Sequence, residues 1–145
     1  MCDFLNYRFD KRKEVLIMQF VDTEHKRFYL ECMSHAKRED SYHKAVFYTL
    51  GINPDIRDHI HSVFDFNSDQ IKLEGLNDSW QTSGSLKTTL FAFNMWNGYA
   101  DESLPSTPYD LFCCDSAPYF FEAIKLKYPE YCPAVNKSPK NHELR

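Results

Sequence analysis

The spacing of apolar residues predicts a first helix that begins after Asp22 and ends near Ala36. Apolar and aromatic side chains recur there every third or fourth residue, which is the period of a helix with one buried face. Asp22 is a suitable N-cap because its carboxylate can accept hydrogen bonds from the free amides of the first turn. The predicted inner face consists of His25, Phe28, Tyr29, Cys32, Met33 and Ala36.

A second and a third helix follow, each bounded by residues that favour a helix start or end. Asp40 or Ser41 can cap the second helix, and Gly51 is the type of residue that commonly follows a helix end. Its predicted inner face consists of Tyr42, Ala45, Val46, Thr49 and Leu50. Asn53 and Pro54 form a cap followed by a proline in the first turn, which predicts a third helix. Its expected inner face consists of Ile56, Ile60, Val63 and Phe64.

Residues 64–82 lack the helical period, and a connection of this length is uncommon in a compact domain. Apolar residues are scattered through it, which argues against disorder. The pattern therefore predicts a long, packed and ordered loop, with a short strand or helical turn near Gln70–Leu73.

The fourth helix opens at Ser83-Gly84-Ser85, and apolar groups nearly encircle it as far as the stop signal at Gly98. A helix that is apolar on all sides belongs in the middle of a bundle. The chain is therefore predicted to be all-α, a compact single-domain bundle of five or six helices around a central apolar helix at about residues 85–97.

Two more helices complete the prediction. Thr107 and Pro108 repeat the cap-then-proline signal and predict a short helix through Cys113. Ser116 begins the last helix, which Pro129 ends. Its predicted inner face consists of Phe120, Phe121, Ile124 and Tyr128.

These signals place one helical domain at residues 18–132. Residues 1–17 are predicted to be an N-terminal extension, with Met18 as an alternative start, although residues 15–21 also have the pattern of a short strand. Residues 133–145 are polar and are predicted to form a flexible tail.

Composition narrows the function classes. A net charge of −4 and a pI near 5.8 argue against a general nucleic-acid binder, which needs a basic field. Five cysteines, an odd number without regular spacing, favour reduced thiols, and no apolar run approaches the length of a membrane span. We therefore expect a cytoplasmic protein that does not bind membranes.

The start of the fourth helix is one candidate binding site. A glycine flanked by hydroxyl residues can expose backbone amides, and a lysine follows one turn later, so a small anionic ligand is one predicted partner. The candidate residues are Gln81, Thr82, Ser83, Ser85 and Lys87. An ordinary serine cap with a solvated lysine is the alternative interpretation.

A surface of aromatic and amide side chains is the second candidate, because tryptophan beside amides can anchor a protein partner. Its residues are Asn77, Trp80, Gln81, Asn94, Trp96 and Asn97. The alternative is that Trp80 only fastens the loop to the bundle while Asn97 helps to end the helix.

No local motif predicts a metal, cofactor or catalytic residue. His59 and His61 lie about 200° apart on a regular helix, so they cannot share one metal ion. Cys113 and Cys114 lack the C-x-x-C spacing of a metal site. Motifs typical of nucleophilic or zinc-dependent hydrolases are missing from the sequence.

Several segments of residues 18–130 together resemble an uncharacterised family, a domain of unknown function in Gram-positive, especially clostridial, bacteria and their mobile elements. The segments are YHKAVFYTLG from Tyr42, IKLEGLN from Ile71, WQT from Trp80 and AFNMWNG from Ala92. The resemblance implies a chain that begins near Met18 and a bacterial or phage setting, but no catalytic residues. We predict a protein-binding module, and the resemblance implies a role in a mobile element or in host–phage conflict. The alternative is a small enzyme or a nucleotide or anion sensor.

Overall fold

Seven α-helices and one short hairpin make up the regular structure from Thr23 onward in the residues that the computed structural model describes, which are 15, 17–104 and 106–132. The helices are α1 (Thr23–His35), α2 (Ser41–Leu50), α3 (Pro54–Asp58), α4 (Ile60–Val63), α5 (Ser83–Asn97), α6 (Pro108–Leu111) and α7 (Ala117–Lys127). The strands are β1 (Phe64–Asp65) and β2 (Gln70–Ile71), and a 3-10 helix spans Leu73–Asn77. The predicted all-α class is confirmed.

The predicted caps begin most of the helices. The carboxylates of Asp22 and Asp40 accept the backbone amides of residues three positions later, at 2.8 and 2.9 Å. Asn53 caps α3, with the proline in its first turn, and Thr107 caps α6. Thr82 caps α5. Each cap depends only on a side chain and amides a few residues away, which is why the local sequence was sufficient to predict it.

The core lies where α2 meets its neighbours. Every residue from Ala45 to Leu50 is buried, and α2 packs against α1, α5 and α7. The helix α5 is apolar on all sides as predicted, with its buried residues running almost without a break from Thr88 to Met95. The two helices therefore share the centre of the bundle.

The predicted third helix is not continuous, because it divides at His59 into α3 and α4. His59 has φ −125° and ψ 31°, outside the helical region, and its Nδ1 lies 2.8 Å from the carbonyl oxygen of Asp55. The 3-10 helix packs tightly against α4, since a Cβ placed on Gly75 would lie 2.2 Å from the carbonyl oxygen of Ser62. This contact is made by residues distant in sequence, and helical periodicity alone cannot reveal it.

The long connection before α5 is ordered, as predicted. Its hairpin pairs Phe64 with Ile71 and Asp65 with Gln70 in antiparallel register. The turn between the strands contains Asp69 in the left-handed region, at φ 58°. The 3-10 helix follows the hairpin, so a strand and a helical turn both occur near the predicted position.

Four details of the predicted pattern are wrong. Tyr42, Phe121 and Tyr128 were expected to face inward, but they are 50%, 56% and 41% exposed. The buried face of α7 is instead Phe120, Ala123 and Leu126. Apolar residues occur on both sides of this helix, so helical spacing was compatible with either face. In addition, α6 ends at Leu111 rather than Cys113.

Residues near the start of the described chain do not form the short strand that the pattern allowed. Met18 to Phe20 have no regular secondary structure, yet Met18 is buried, and Val15 packs against the core. The remainder of the predicted N-terminal extension and the predicted tail at 133–145 lie outside the described residues. In the part of the chain that is described, no helix has the length and apolar character required to cross a membrane.

Candidate functional site

The predicted anion site at the start of α5 uses most of its polar groups internally. Thr82 and Ser85 form a capping box, in which the Thr82 hydroxyl accepts the Ser85 amide at 3.2 Å and the Ser85 hydroxyl accepts the Thr82 amide at 2.8 Å. The Ser85 hydroxyl also donates to the side-chain oxygen of Gln81 at 2.6 Å. Ser85 is fully buried, whereas Ser83 is exposed and Lys87 is half-buried.

The predicted aromatic and amide residues of the loop fasten it to the helices. The Gln81 amide donates to the Gly75 carbonyl at 3.1 Å and to the Thr89 hydroxyl at 3.4 Å. The Trp80 ring stacks on His59, with centroids 4.5 Å apart and planes 5° from parallel. Its indole N–H donates to Asp78 at 3.1 Å. Asn77 is exposed on the adjacent 3-10 helix.

Asn94 and Asn97 lie at the other end of α5 from these residues. A helix rises about 1.5 Å per residue, so the two ends of α5 are separated by roughly 20 Å. The Asn94 amide donates to the Tyr99 carbonyl at 3.2 Å, and the Asn97 oxygen accepts the Tyr99 amide at 3.0 Å. Both asparagines therefore secure the chain that leaves the helix. Trp96, also half-buried, packs edge-on against the ring of His43.

Exposed rings and lysines form a surface that the sequence analysis did not predict. It lies on α7, on the turn after it and at the start of α2. We call it the aromatic–lysine surface, and its residues are Tyr42, Phe121, Lys125, Lys127, Tyr128 and Tyr131. The sequence signal for it was present in the two apolar faces of α7, but nothing in the spacing showed which face was outside.

Cation–π contacts connect the lysines of this surface to its rings. The Lys127 ammonium lies 3.0 Å from the centroid of the Tyr42 ring, and the Lys125 ammonium lies 5.1 Å from that of Phe121. Lys125 also pairs with Glu122 at 3.2 Å. Partial burial lowers the pKa of Lys127, and the Asp40 carboxylate opposes that shift. Among the described residues no carboxylate forms an ion pair with Lys127.

A buried imidazole next to this surface ties the start of α2 to the hairpin turn. His43 is almost fully buried, and its Nδ1 and Nε2 lie 2.7 and 2.8 Å from carboxylate oxygens of Asp40 and Asp69. A carboxylate accepts hydrogen bonds, so a ring nitrogen that carries hydrogen donates to the acid beside it. We call this pair of contacts the His43 clasp. Local sequence could not reveal it, because Asp69 lies 26 positions from the histidine.

The two adjacent cysteines do not form part of a metal site in the described chain. Cys113 and Cys114 are exposed free thiols that donate to the carbonyls of Tyr109 and Leu111. Within residues 15, 17–104 and 106–132, no group of three or more potential ligands could hold a metal ion.

The comparisons with curated proteins and with solved structures found no match to this chain. A family model does match, and it covers residues 16–140, which is most of the chain. The match includes all seven helices, the loop and the aromatic–lysine surface. The chain therefore belongs to this family, a family of unknown function (DUF6075).

Proposed function

We propose that this protein is a protein-binding module, and that the aromatic–lysine surface makes the contact. The observation that supports this proposal is the exposure of three of its rings, with Phe121 at 56%, Tyr42 at 50% and Tyr131 at 82%. Aromatic side chains are enriched in the centres of protein interfaces, where they bury a large apolar area on binding. Grouped exposed rings are costly in water unless a partner covers them.

The partner that fits this surface is a segment of another protein with acidic and apolar side chains. Lys127 has ammonium hydrogens and no ion-pair partner in the described chain, so a carboxylate of the partner can bind there. Phe121 and Tyr128 are seven residues apart, so they lie along one stripe of the helix beside it and supply apolar area. Opposite charges would guide and orient the encounter, while the rings would provide most of the affinity.

The setting is part of the same proposal. We place the protein in the bacterial cytoplasm, in clostridial genomes or their mobile elements, with a role in host–phage conflict. The resemblance described above supports that setting. The alternative function, an enzyme or an anion sensor at the start of α5, has weaker support because Thr82 and Ser85 satisfy each other there.

A displayed library of random peptides tests this proposal with the full chain as bait. We expect enriched peptides that combine acidic and apolar residues. Their affinity should fall about tenfold or more in the double variant Phe121→Ala, Tyr128→Ala, and also in Lys127→Gln. Tyr109→Ala is the matched control, because Tyr109 is 84% exposed but lies on α6.

Two outcomes would count against the proposal. Enrichment that does not change in the surface variants would place binding elsewhere on the molecule. A dimer seen by light scattering, and lost in the Phe121 and Tyr128 variant, would show that the surface binds a second copy of the chain rather than a different protein.

A further inference from the structure

A groove of about 300 Å³ opens among α1, α3, α4 and the hairpin turn, and it is distinct from the aromatic–lysine surface. Rings of Phe28 from α1 and Phe66 from the turn line it. Both are only partly buried, so they present apolar area to the groove. Small-molecule sites in proteins begin at about this volume, and they typically combine apolar walls with a few polar groups.

Arg57 supplies a half-buried positive charge to this groove. One Nη of its guanidinium donates to the Gly51 carbonyl at 2.7 Å, which fixes the side chain in place. A guanidinium has further N–H donors beyond the one used here. None of the described residues gives Arg57 a carboxylate partner. A held cation with unused donors is well suited to a carboxylate or phosphate, because charge-assisted hydrogen bonds are stronger than neutral ones.

Two histidines lie on either side of the Phe66 ring in the same groove. The ring centroids of His35 and His61 are 6.4 and 5.9 Å from that of Phe66. His35 uses its Nδ1 in a contact with the Glu31 carbonyl at 2.9 Å, which leaves its Nε2 without a partner among the described residues. His61 is exposed and makes no hydrogen bond through its ring within the described chain. The His61 imidazole can therefore donate to a bound ligand, whereas the neutral His35 ring carries its hydrogen on Nδ1 and presents an acceptor at Nε2.

We infer that this groove binds a small aromatic anion, with its ring against Phe28 and Phe66 and its carboxylate or phosphate near Arg57 and His61. Glu31 also lines the groove, and its negative charge opposes the binding of an anion there. Burial, with the Glu31 charge, raises the pKa of the Cys32 thiol in the groove to about 12. A thiol in that state is not a nucleophile at neutral pH.

Three probes show whether the ligand is an aromatic carboxylate, an aromatic phosphate or a phosphate without a ring: benzoate, adenosine monophosphate and inorganic phosphate. Each is titrated into the isotopically labelled full chain, and amide chemical shifts are followed by NMR. We expect saturable shifts at the groove residues with benzoate or with the nucleotide, and weaker binding of phosphate alone because it has no ring. Saturation by benzoate alone identifies an aromatic carboxylate, and saturation by the nucleotide alone identifies an aromatic phosphate.

Variants of the charged groups test the placement of the site. His61→Ala should weaken binding about tenfold without harm to the fold, since the ring is exposed and makes no hydrogen bond in the described chain. Arg57→Gln should weaken it at least as much, and Glu31→Gln should strengthen it several-fold. Arg27→Gln is the matched control, because it removes the same charge from an exposed position on α1.

The inference is overturned if none of the three probes shifts the groove residues at millimolar concentration. It is also overturned if a probe binds with equal affinity to the chain carrying His61→Ala and to the chain carrying Arg27→Gln. Should Arg57→Gln unfold through loss of its bond to Gly51, the His61 variant still decides the question. Peptide binding by the aromatic–lysine surface uses none of these residues, so the two proposals can fail separately.

Discussion

Acidification between about pH 7 and pH 5 should destabilise this protein through His25, and the size of the effect follows from the two contacts of its ring. The His25 Nδ1 accepts the Val21 amide at 3.1 Å, and its Nε2 lies 2.8 Å from the Tyr48 carbonyl. Only the neutral ring with hydrogen on Nε2 satisfies both contacts. Burial, assisted by the charge of Arg57, lowers the pKa of His25 from 6.5 to about 4.

The sign of the pH effect follows from that lowered pKa. Below pH 6.5 the unfolded chain takes up a proton at His25, while the folded chain remains neutral until about pH 4. Folding stability contributed by the neutral ring is therefore complete above pH 6.5 and is lost progressively down to pH 4. For these two pKa values the free energy of unfolding falls by about 2 kcal/mol between pH 7 and pH 5.

Urea denaturation of the native chain and of His25→Gln at several pH values within this window isolates the contribution of His25 to the pH dependence of the free energy of unfolding. Glutamine can still donate to the Tyr48 carbonyl but does not titrate. The variant should be less stable at pH 7, and its stability should depend less on pH, by about 2 kcal/mol across the window. All other ionisable groups are common to both chains and cancel. Parallel pH profiles for the two chains would refute the reasoning, as would an NMR titration of His25 with an ordinary pKa.

Three further predictions concern substitutions at two glycines and at the buried His43. Gly75→Ala should lower the free energy of unfolding by ~2–3 kcal/mol, because the new methyl would meet the Ser62 carbonyl, whereas an unchanged urea midpoint would show that the contact can relax. Gly84→Ala is the matched substitution in open space and should raise stability by ~0.5–1 kcal/mol in the same assay, since it lies in a helix and nothing is within 3.4 Å of the new atom. His43→Leu should lower the free energy of unfolding by about 2 kcal/mol, because it leaves the carboxylates of Asp40 and Asp69 facing an apolar side chain. Thermal melts at neutral pH measure this change, and a clearly smaller loss would contradict the prediction.

Helix starts and ends were predictable because the interactions that fix them are local. Asn53 with Pro54, and Thr107 with Pro108, needed only a cap and a preset first turn, and both pairs begin helices in the structure. Gly98 adopts φ 79°, the left-handed conformation that favours glycine after a helix. Gly51 differs, since its φ of −74° is open to any residue. Its side-chain position is instead filled by Phe28 and His25, which the local sequence cannot show.

Interactions between distant residues were not predictable from spacing. The His43 clasp depends on a carboxylate supplied by the hairpin turn, and the packing of the 3-10 helix against α4 depends on the close approach of Gly75 to Ser62. The candidate site at the start of α5 shows the same limit. Its residue types were compatible with a bound anion, but Ser85 forms its hydrogen bonds with Thr82 and Gln81, and only the folded chain reveals that those groups are satisfied.

The abundance of rings accounts for both the main error in the predicted faces and the proposed site. Because α7 has apolar residues on two sides, helical periodicity could not decide between the face with Phe120 and the face with Phe121. The tertiary packing selects the buried face, since α7 packs against α2 and buries Phe120, Ala123 and Leu126. The second face is then left in water, with lysines over its rings. The rings of that second face are the ones that we propose to contact another protein.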